Sequence, residues 1–275
     1  SRILFKGDRA VGVEWQQGTQ SHKAQTTDGG GEVLLSAGAL QSPQVLQLSG
    51  IGPEVVLQRA GVPVRLHAPE VGANLQDHYQ ARVIVRLRKR LSLNDEVRNP
   101  LKLMQMGAQW LIQQRGPLTI SAGQVGGMIR TPVARDARAD VLLNVMPLSV
   151  DKPGDPLHSF SGFSASASQC RPDSRGSVAI TSADPLAAPR IDAGYFTAPH
   201  DMKVLVEGLK ALRDIYAQPA FRDLVQGEHL PGPQVRTDAE LAAFAARAGG
   251  TVFHATGTCR MGSDETSVLD PQLRV

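Results

Sequence analysis

The chain has 275 residues, of which 41% are hydrophobic, so it is long enough to bury a core and to form one large or two ordinary domains. Its formal net charge of +3 comes from dispersed lysines and arginines. The one basic run, at residues 86–90, lacks the interleaved aromatic side chains of a nucleic-acid surface. We therefore expect no nucleic-acid partner and interpret this run as a solvated face or a strand edge.

The cysteine content and the apolar runs indicate the cellular compartment, and the possible metal ligands indicate the site chemistry. Cys170 and Cys259 are too few for a disulfide framework and are compatible with a reducing cytoplasm, where we expect the protein to lie. No apolar run approaches the ~20 residues that span a bilayer, so membrane association is not indicated. His254 and Cys259 are the only soft ligands in their stretch, whereas zinc needs three or four. The sequence therefore predicts no metal site.

The first residues predict a β-hairpin. Residues 1–5 and 10–15 have the composition of two strands, and residues 6–9 predict the turn between them. Residues 28–31, D-G-G-G, predict a further turn.

A strand-to-helix turn is predicted next. Residues 33–35 predict a short buried strand that turns at Ala37 and Gly38 into a helix. Small residues at such a turn let the backbone lie against a flat or anionic ligand, although an ordinary strand-to-helix crossover in an α/β domain is the alternative. The helix signals are Ser42 as the N-cap, Pro43 at the first helical position and Gly50 just past the end.

From residue 77 onward the pattern is rich in strands. Residues 81–87 alternate like a half-exposed strand, and residues 141–145 and 177–181 predict further strands. Residues 101–114 predict a helix with a core-facing apolar stripe, residues 202–216 predict a second helix, and residues 237–240 form a capping box that opens a third. The apolar stripes are Leu101, Met104, Ala108, Leu111 and Ile112 on the first of these helices, and Leu205, Leu209, Leu212 and Ile215 on the second.

Residues 254–262, H-A-T-G-T-C-R-M-G, place one imidazole at the start of a glycine-punctuated loop. Histidine is the side chain that exchanges a proton near neutral pH, so His254 is a candidate base. On these residues alone, a hydrogen-bonded structural histidine is the alternative.

Five blocks of the chain together resemble the glucose-methanol-choline (GMC) flavin oxidoreductases. Residues 31–53 resemble the second signature of that family, and residues 71–78 resemble the passage from its flavin domain to its substrate domain. Residues 171–178 and 182–192 resemble the strand pair before its long helix, residues 254–262 its catalytic loop, and residues 268–275 its return to the flavin domain. The blocks follow one another in family order, and the chain is most similar to the bacterial choline and alcohol dehydrogenase-like branch.

The resemblance implies a fold and a domain order. We expect a mixed α/β (α+β) chain that contains part of an FAD-binding Rossmann-like domain, together with a substrate domain built on a mostly antiparallel sheet with flanking helices. The implied boundaries are residues 1–76 for the FAD-binding segment, 77–250 for the substrate-binding domain and 251–275 for the return to the FAD-binding domain.

The resemblance also implies a cofactor, a reaction and site residues. FAD is the implied cofactor, with Ala37 and Gly38 as backbone contacts, and a small alcohol is the implied substrate. His254 would accept the hydroxyl proton while hydride passes to the flavin, so that a primary alcohol becomes an aldehyde. The electron acceptor is quinone-like or oxygen, and we favour a dehydrogenase that uses an acceptor other than oxygen. We expect structural or local hydrogen-bonding roles for His78 and Asp77.

One substitution bears on the substrate. Choline-oxidising members of the family tend to carry a glutamate shortly after the Asp-His pair, where a carboxylate can neutralise a quaternary ammonium. This chain has the neutral Gln80 instead, which favours an uncharged primary alcohol. Choline remains an alternative, because an aromatic cage can bind it without that carboxylate.

Two further alternatives come from what the sequence lacks. No G-x-G-x-x-G follows a strand, and the chain begins and ends within segments that continue in the family, including the one with the second active-site His or Asn. We therefore expect a fragment that is inactive by itself. The alternatives are a hydroxynitrile lyase on the same fold and a non-catalytic fragment.

Overall fold

A computed structural model describes residues 2–27, 30–119, 121, 123–152 and 154–275. Within them the strands, in chain order, are β1 (Arg2–Lys6), β2 (Arg9–Gln17), β3 (Gln20–Gln25), β4 (Ile51–Gly52), β5 (Leu66–His67), β6 (Tyr79–Leu87), β7 (Val125–Ile129), β8 (Val141–Met146), β9 (Gly162–Gln169), β10 (Ser177–Ala179), β11 (Arg190–Asp192), β12 (Val225–Leu230) and β13 (Gly250–Thr251). The helices are α1 (Gly38–Leu48), α2 (Glu54–Arg59), α3 (Leu93–Val97), α4 (Pro100–Gln113), α5 (Pro199–Tyr216) and α6 (Asp238–Ala248), with 3₁₀ turns at Pro117–Thr119 and Pro219–Phe221.

The chain divides into two compact units. The first unit comprises residues 1–77, 174–197 and 253–275, and the second unit comprises residues 78–173 and 198–252. The division at residue 77 lies next to the predicted boundary, whereas the predicted domain 77–250 differs at residues 174–197, which belong to the first unit. The reason is that β10 and β11 pair with each other and β10 packs against α1. The FAD-binding and substrate-binding roles of the domains remain predictions.

The first unit opens with an antiparallel sheet in the order β1-β2-β3. The predicted turn between β1 and β2 is confirmed, and Gly7 takes the left-handed φ of 58° that this turn needs. Asp28 and Gly29 of the predicted turn at residues 28–31, and Ser1 of the first predicted strand, lie outside the described residues. A buried cluster of Leu46, Ile51, Val71 and Val268 joins α1 and β4 to the C-terminal segment, and Ile3 and Phe5 of β1 pack against it.

The strand-to-helix prediction is partly wrong. Residues 33–35 form no strand, because no strand of the described residues pairs with them. The helix α1 begins at Gly38, ahead of the predicted N-cap, so Pro43 lies inside it. The Ser42 hydroxyl accepts a hydrogen bond of 3.1 Å from the Ala37 N–H, and thus satisfies a group at the helix start from within the first turns. The predicted end is correct, since α1 stops at Leu48 and Gly50 has a φ of 83°.

The second unit is built on an antiparallel sheet in the order β12-β6-β9-β8-β7, with β13 also paired to β6. The predicted strands at residues 81–87 and 141–145 are confirmed as β6 and β8. However, β6 is not half-exposed, because consecutive Val83, Ile84 and Val85 are all fully buried. The middle of this central strand is thus covered on both faces, whereas Gln80, Arg82 and Arg86 towards its ends are only partly buried.

The helices of the second unit differ in how much they bury. The stripe of α5 packs against β6, β8 and β9 through Leu205, Leu209 and Leu212. The capping box at the start of α6 forms as predicted, with the Thr237 side chain accepting from the Glu240 N–H. The predicted core-facing stripe of α4 is wrong: its apolar side chains are exposed, and Met106, outside that stripe, is the buried residue of this helix.

Candidate active site

The candidate catalytic loop lies alongside the segment that follows Val71. The Gly72 N–H donates to the Thr258 carbonyl over 2.8 Å, and Gln76 and Thr256 exchange two backbone hydrogen bonds of 2.9 Å. Residues 254–258 therefore run antiparallel to residues 72–77. Two blocks that the sequence separates by most of its length form one paired structure in the first unit.

His254 is positioned through its main chain by a buried carboxylate. Its N–H donates to Asp77 Oδ1 over 2.9 Å, and the Tyr195 hydroxyl donates to Asp77 Oδ2. Asp77 is buried, whereas the His254 residue is exposed. Phe253, just before it, has a φ of 61°, a conformation that bulky residues rarely adopt. The backbone is thus held tightly at the point from which the imidazole projects.

Gly257 is required in this loop because the backbone of Asn74 lies very close to it. Gly257 has a φ of 92°, and a Cβ atom there would lie 2.4 Å from the Asn74 carbonyl oxygen. The Asn74 side chain donates to the Gly257 carbonyl over 3.1 Å and accepts from Arg175 Nε over 3.0 Å. Asn74 therefore connects the loop to the segment before β10.

Ala37 and Gly38, the predicted cofactor contacts, lie at the N-terminus of α1. Both are exposed, Gly38 has a φ of 79°, and no other atom lies within 4 Å of the position where its Cβ would be. The first turn of α1 carries no acidic residue. An open turn of small residues at a helix N-terminus suits a flat or anionic group.

Thr258 joins the loop to this turn. Its hydroxyl donates to the carbonyl oxygen of Ala39, the residue after Gly38, over 2.6 Å. The structure thus brings together the loop of His254 and the helix start that carries Ala37 and Gly38, through a threonine that the sequence analysis did not single out.

A buried glutamine fixes the same helix from its other end. The Gln47 amide donates to the carbonyls of Val71 and Val178 over 3.0 Å each and accepts from the Ile180 N–H over 2.8 Å. Val71 and Val178 belong to sequence blocks that carried the family resemblance, and Ile180 lies between two of those blocks. Tyr195, Thr258 and Gln47 were missed because their partners are distant in sequence and no local pattern marks them.

The remaining candidates are His78 and the two cysteines, and their surroundings indicate structural roles. His78 Nε2 lies 2.9 Å from the Cys170 carbonyl oxygen, which supports the structural role expected for this histidine. Burial raises the pKa of the Cys259 thiol to about 11 and also raises the pKa of Cys170. Both thiols are therefore protonated at neutral pH and poorly suited to nucleophilic attack.

One group of possible metal ligands occurs among the described residues, in the second unit. The ligand atoms of Asp151, His158 and His229 lie within 4.8 Å of one another. However, Arg86 contacts His229 Nδ1 over 3.1 Å, and a guanidinium can only donate, so that nitrogen is an acceptor and the ring proton is on Nε2. Neither nitrogen of His229 is then available to a cation, and we assign no metal here.

Comparisons with known proteins agree with this arrangement. Family models described as GMC oxidoreductase match residues 1–80 and 172–275. The chain is 32% identical to an alcohol dehydrogenase (acceptor) of Pseudomonas putida, over all of this chain and 50% of that protein. It is 36% identical to an oxygen-dependent choline dehydrogenase of Serratia proteamaculans, over all of this chain and 49% of the relative.

A solved structure shows the same fold. The formate oxidase of Aspergillus oryzae, reported in a study of FAD modification, superposes with a TM-score of 0.92 at 24% identity, over all of this chain and 52% of its own. The chain spans about half the length of these relatives. The resemblance that the sequence motifs indicated is confirmed, and the chain belongs to the GMC oxidoreductase family.

Proposed function

We propose that these residues serve an FAD-dependent oxidation of a primary alcohol to an aldehyde, with His254 as the acceptor of the hydroxyl proton. The observation that carries the proposal is the anchoring of His254. A buried carboxylate holds its N–H, and backbone pairing with residues 72–77 fixes the loop on which it stands. A general base must be held in place relative to the proton that it removes, and this imidazole projects from a fixed backbone.

The proton transfer at His254 accounts for half of the reaction. An alcohol can lose a hydride from carbon only if its oxygen supplies the electron pair of the new carbonyl, and the hydroxyl proton must then leave. His254 takes that proton at an imidazole nitrogen. The chemistry that bound FAD supplies is acceptance of the hydride from the alcohol carbon.

The residues present fit one part of an FAD site. The exposed, glycine-containing turn at Ala37 and Gly38 would lie against the cofactor, and the N-terminus of α1 adds favourable dipole charge. The sequence has no G-x-G-x-x-G, so we assign no residue of this chain to the FAD pyrophosphate.

We propose an uncharged primary alcohol as the substrate, because Gln80 carries no charge to pair with a quaternary ammonium. Gln80 lies in β6, where it pairs with Ser168 of β9 and Gly250 of β13. Choline is the second candidate, since several relatives are named choline dehydrogenases. We also propose an electron acceptor other than oxygen.

The test is His254→Ala in the FAD-loaded protein, in the longest natural form that carries these residues. We expect alcohol oxidation with an artificial electron acceptor to fall by ~10²–10⁴-fold while the flavin absorbance is unchanged. His22→Ala is the matched control, because His22 stacks on Trp15 in the β1-β2-β3 sheet. Near-normal oxidation by His254→Ala would refute the assignment.

The same assays separate the alternatives. A hydroxynitrile lyase would cleave its substrate without reducing the artificial acceptor, and a non-catalytic protein would bind no flavin. Parallel measurements of oxygen consumption and acceptor reduction test the acceptor, and a choline series beside uncharged primary alcohols tests the substrate.

A further inference from the structure

The helix α4 presents an apolar stripe to solvent. Leu101, Met104, Leu111 and Ile112 are 75%, 69%, 70% and 81% exposed. Their spacing of three, seven and one residues places them along one side of a helix. Scattered exposed leucines are ordinary on a soluble surface, but four large apolar side chains aligned on one helix mark an interaction site.

Little of α4 contributes to the core of the second unit. Met106 is its buried residue, and its main neighbours are α3 and the 3₁₀ turn Pro117–Thr119, which adjoin it in sequence. Leu118 in that turn and Met128 in β7 are also exposed. The stripe is therefore an outward face of a helix that is already attached through its opposite side.

The charges at the two ends of the stripe are mainly positive, although Lys102 pairs with Glu96, just before α4, over 3.6 Å. Residues 97–135 contain no Asp or Glu, and exposed Arg98 and Arg115 stand at the two ends of α4, with Lys102 in its first turn. Arg98 is held at the N-terminal end by donating to the Ser159 carbonyl. An apolar stripe that is bracketed by cations is complementary to a surface of anionic headgroups over hydrocarbon.

We propose that α4 lies in the surface of a bilayer that carries anionic lipids, with its apolar stripe in the acyl boundary and its terminal cations among the headgroups. No helix of the described residues is long and apolar enough to cross a membrane, so the attachment is peripheral. A second copy of the chain is a poorer occupant. In an antiparallel pair of α4 helices, Arg98 would face Arg115, and the like charges would repel.

The experiment is co-sedimentation of the protein with vesicles of phosphatidylcholine alone or mixed with phosphatidylglycerol. We expect binding to the mixed vesicles, weakening by about tenfold or more in high salt. The variant Met104→Gln/Leu111→Gln should abolish binding, and Arg98→Gln/Arg115→Gln should weaken it by about tenfold. Leu186→Gln is the control, because Leu186 is equally exposed but belongs to the first unit.

Circular dichroism of each variant shows whether it is folded, and the exposed positions make loss of the fold an unexpected result. Sedimentation velocity tests whether a second copy of the chain covers the stripe, because such a pair would sediment as a dimer. Absence of vesicle binding by the wild-type protein, or binding that the stripe variant retains, would overturn the proposal. A dimer that the stripe variant dissociates would overturn it in favour of a second copy.

Discussion

The Thr258 hydroxyl donates a hydrogen bond of 2.6 Å to the Ala39 carbonyl oxygen, and this bond replaces one that α1 cannot make. In a regular α-helix the Ala39 carbonyl would accept the N–H of residue 43. Pro43 has no N–H, although it lies inside the helix. Thr258 is 2% exposed, so the donor that satisfies this carbonyl is buried. A threonine in one sequence motif thus supplies the hydrogen bond that a proline in the other motif cannot donate.

Thr258→Val should lower the free energy of unfolding by about 1–2 kcal/mol, because it leaves the Ala39 carbonyl without a donor at nearly unchanged side-chain volume. Denaturant titration measures this change. Thr258→Ser keeps the hydroxyl and should recover most of the loss.

The proline provides a stricter test of the same bond. Pro43→Ala supplies an N–H that can reach the Ala39 carbonyl, so in that background Thr258→Val should cost much less. An equal cost in both backgrounds would show that the hydroxyl does not compensate for the proline.

The anchoring of His254 by Asp77 predicts an effect on catalysis. Asp77→Ala removes the acceptor of the His254 N–H and should lower kcat for alcohol oxidation by about tenfold to a hundredfold, because a displaced base is poorly aligned. Tyr195→Phe removes a donor to the other carboxylate oxygen but leaves the anchor in place, so its loss should be smaller. Flavin absorbance and circular dichroism serve as controls, and a normal kcat in Asp77→Ala would contradict the anchoring role.

Local patterns in the sequence were sufficient for most of the elements but not for their surroundings. The capping box of α6 and the end of α1 at Gly50 depend on residues a few positions apart, and both formed as expected. The stripe of α5 is buried as far as Leu212, whereas its last member, Ile215, is 43% exposed. The stripe of α4 has the same periodicity, yet it faces solvent. Periodicity shows that a helix has an apolar face, but it does not show what covers that face.

The same limit of local sequence patterns applies to the candidate active site, where interacting residues are far apart in the chain. His254, Ala37 and Gly38 could be named from motifs, but the partners that hold them could not. Asp77 and His254 are 177 residues apart, and nothing near Asp77 indicates that it accepts from that backbone. The start of α1 was misplaced because Pro43 normally marks a first turn, and the bond that allows it inside the helix comes from the far end of the chain.

Gln80 predicts a change of substrate preference. Gln80→Glu introduces a carboxylate that can pair with a quaternary ammonium, so kcat/KM for choline should rise by about tenfold relative to an uncharged primary alcohol. Gln80→Asn is the neutral control. An unchanged ratio in Gln80→Glu would show that this position does not contact the substrate's charge.

The raised thiol pKa of Cys259 predicts slow alkylation. With a pKa of about 11, only about a thousandth of this thiol is ionised at pH 8, compared with about a quarter of an ordinary cysteine. Iodoacetamide should therefore modify Cys259 slowly in the native protein and rapidly in denaturant. Cys170→Ser leaves Cys259 as the reporting thiol, and rapid native-state labelling of that variant would contradict the burial of this side chain.

His229 predicts a loss of stability in acid. Burial, followed by the charge of Arg86 and of His158, lowers the pKa of His229, while Asp151 partly opposes this change. Because the folded pKa lies below the unfolded one, the unfolded state binds more protons between the two values, so the contribution is complete above about pH 6.5 and is lost as pH falls through the folded pKa. His229→Gln removes this titration, and its free energy of unfolding should fall less between pH 7 and pH 5 than that of the wild type. His200→Gln, on α5 of the same unit, is the matched control, and equal slopes for His229→Gln and the wild type would show that His229 does not contribute to this pH dependence.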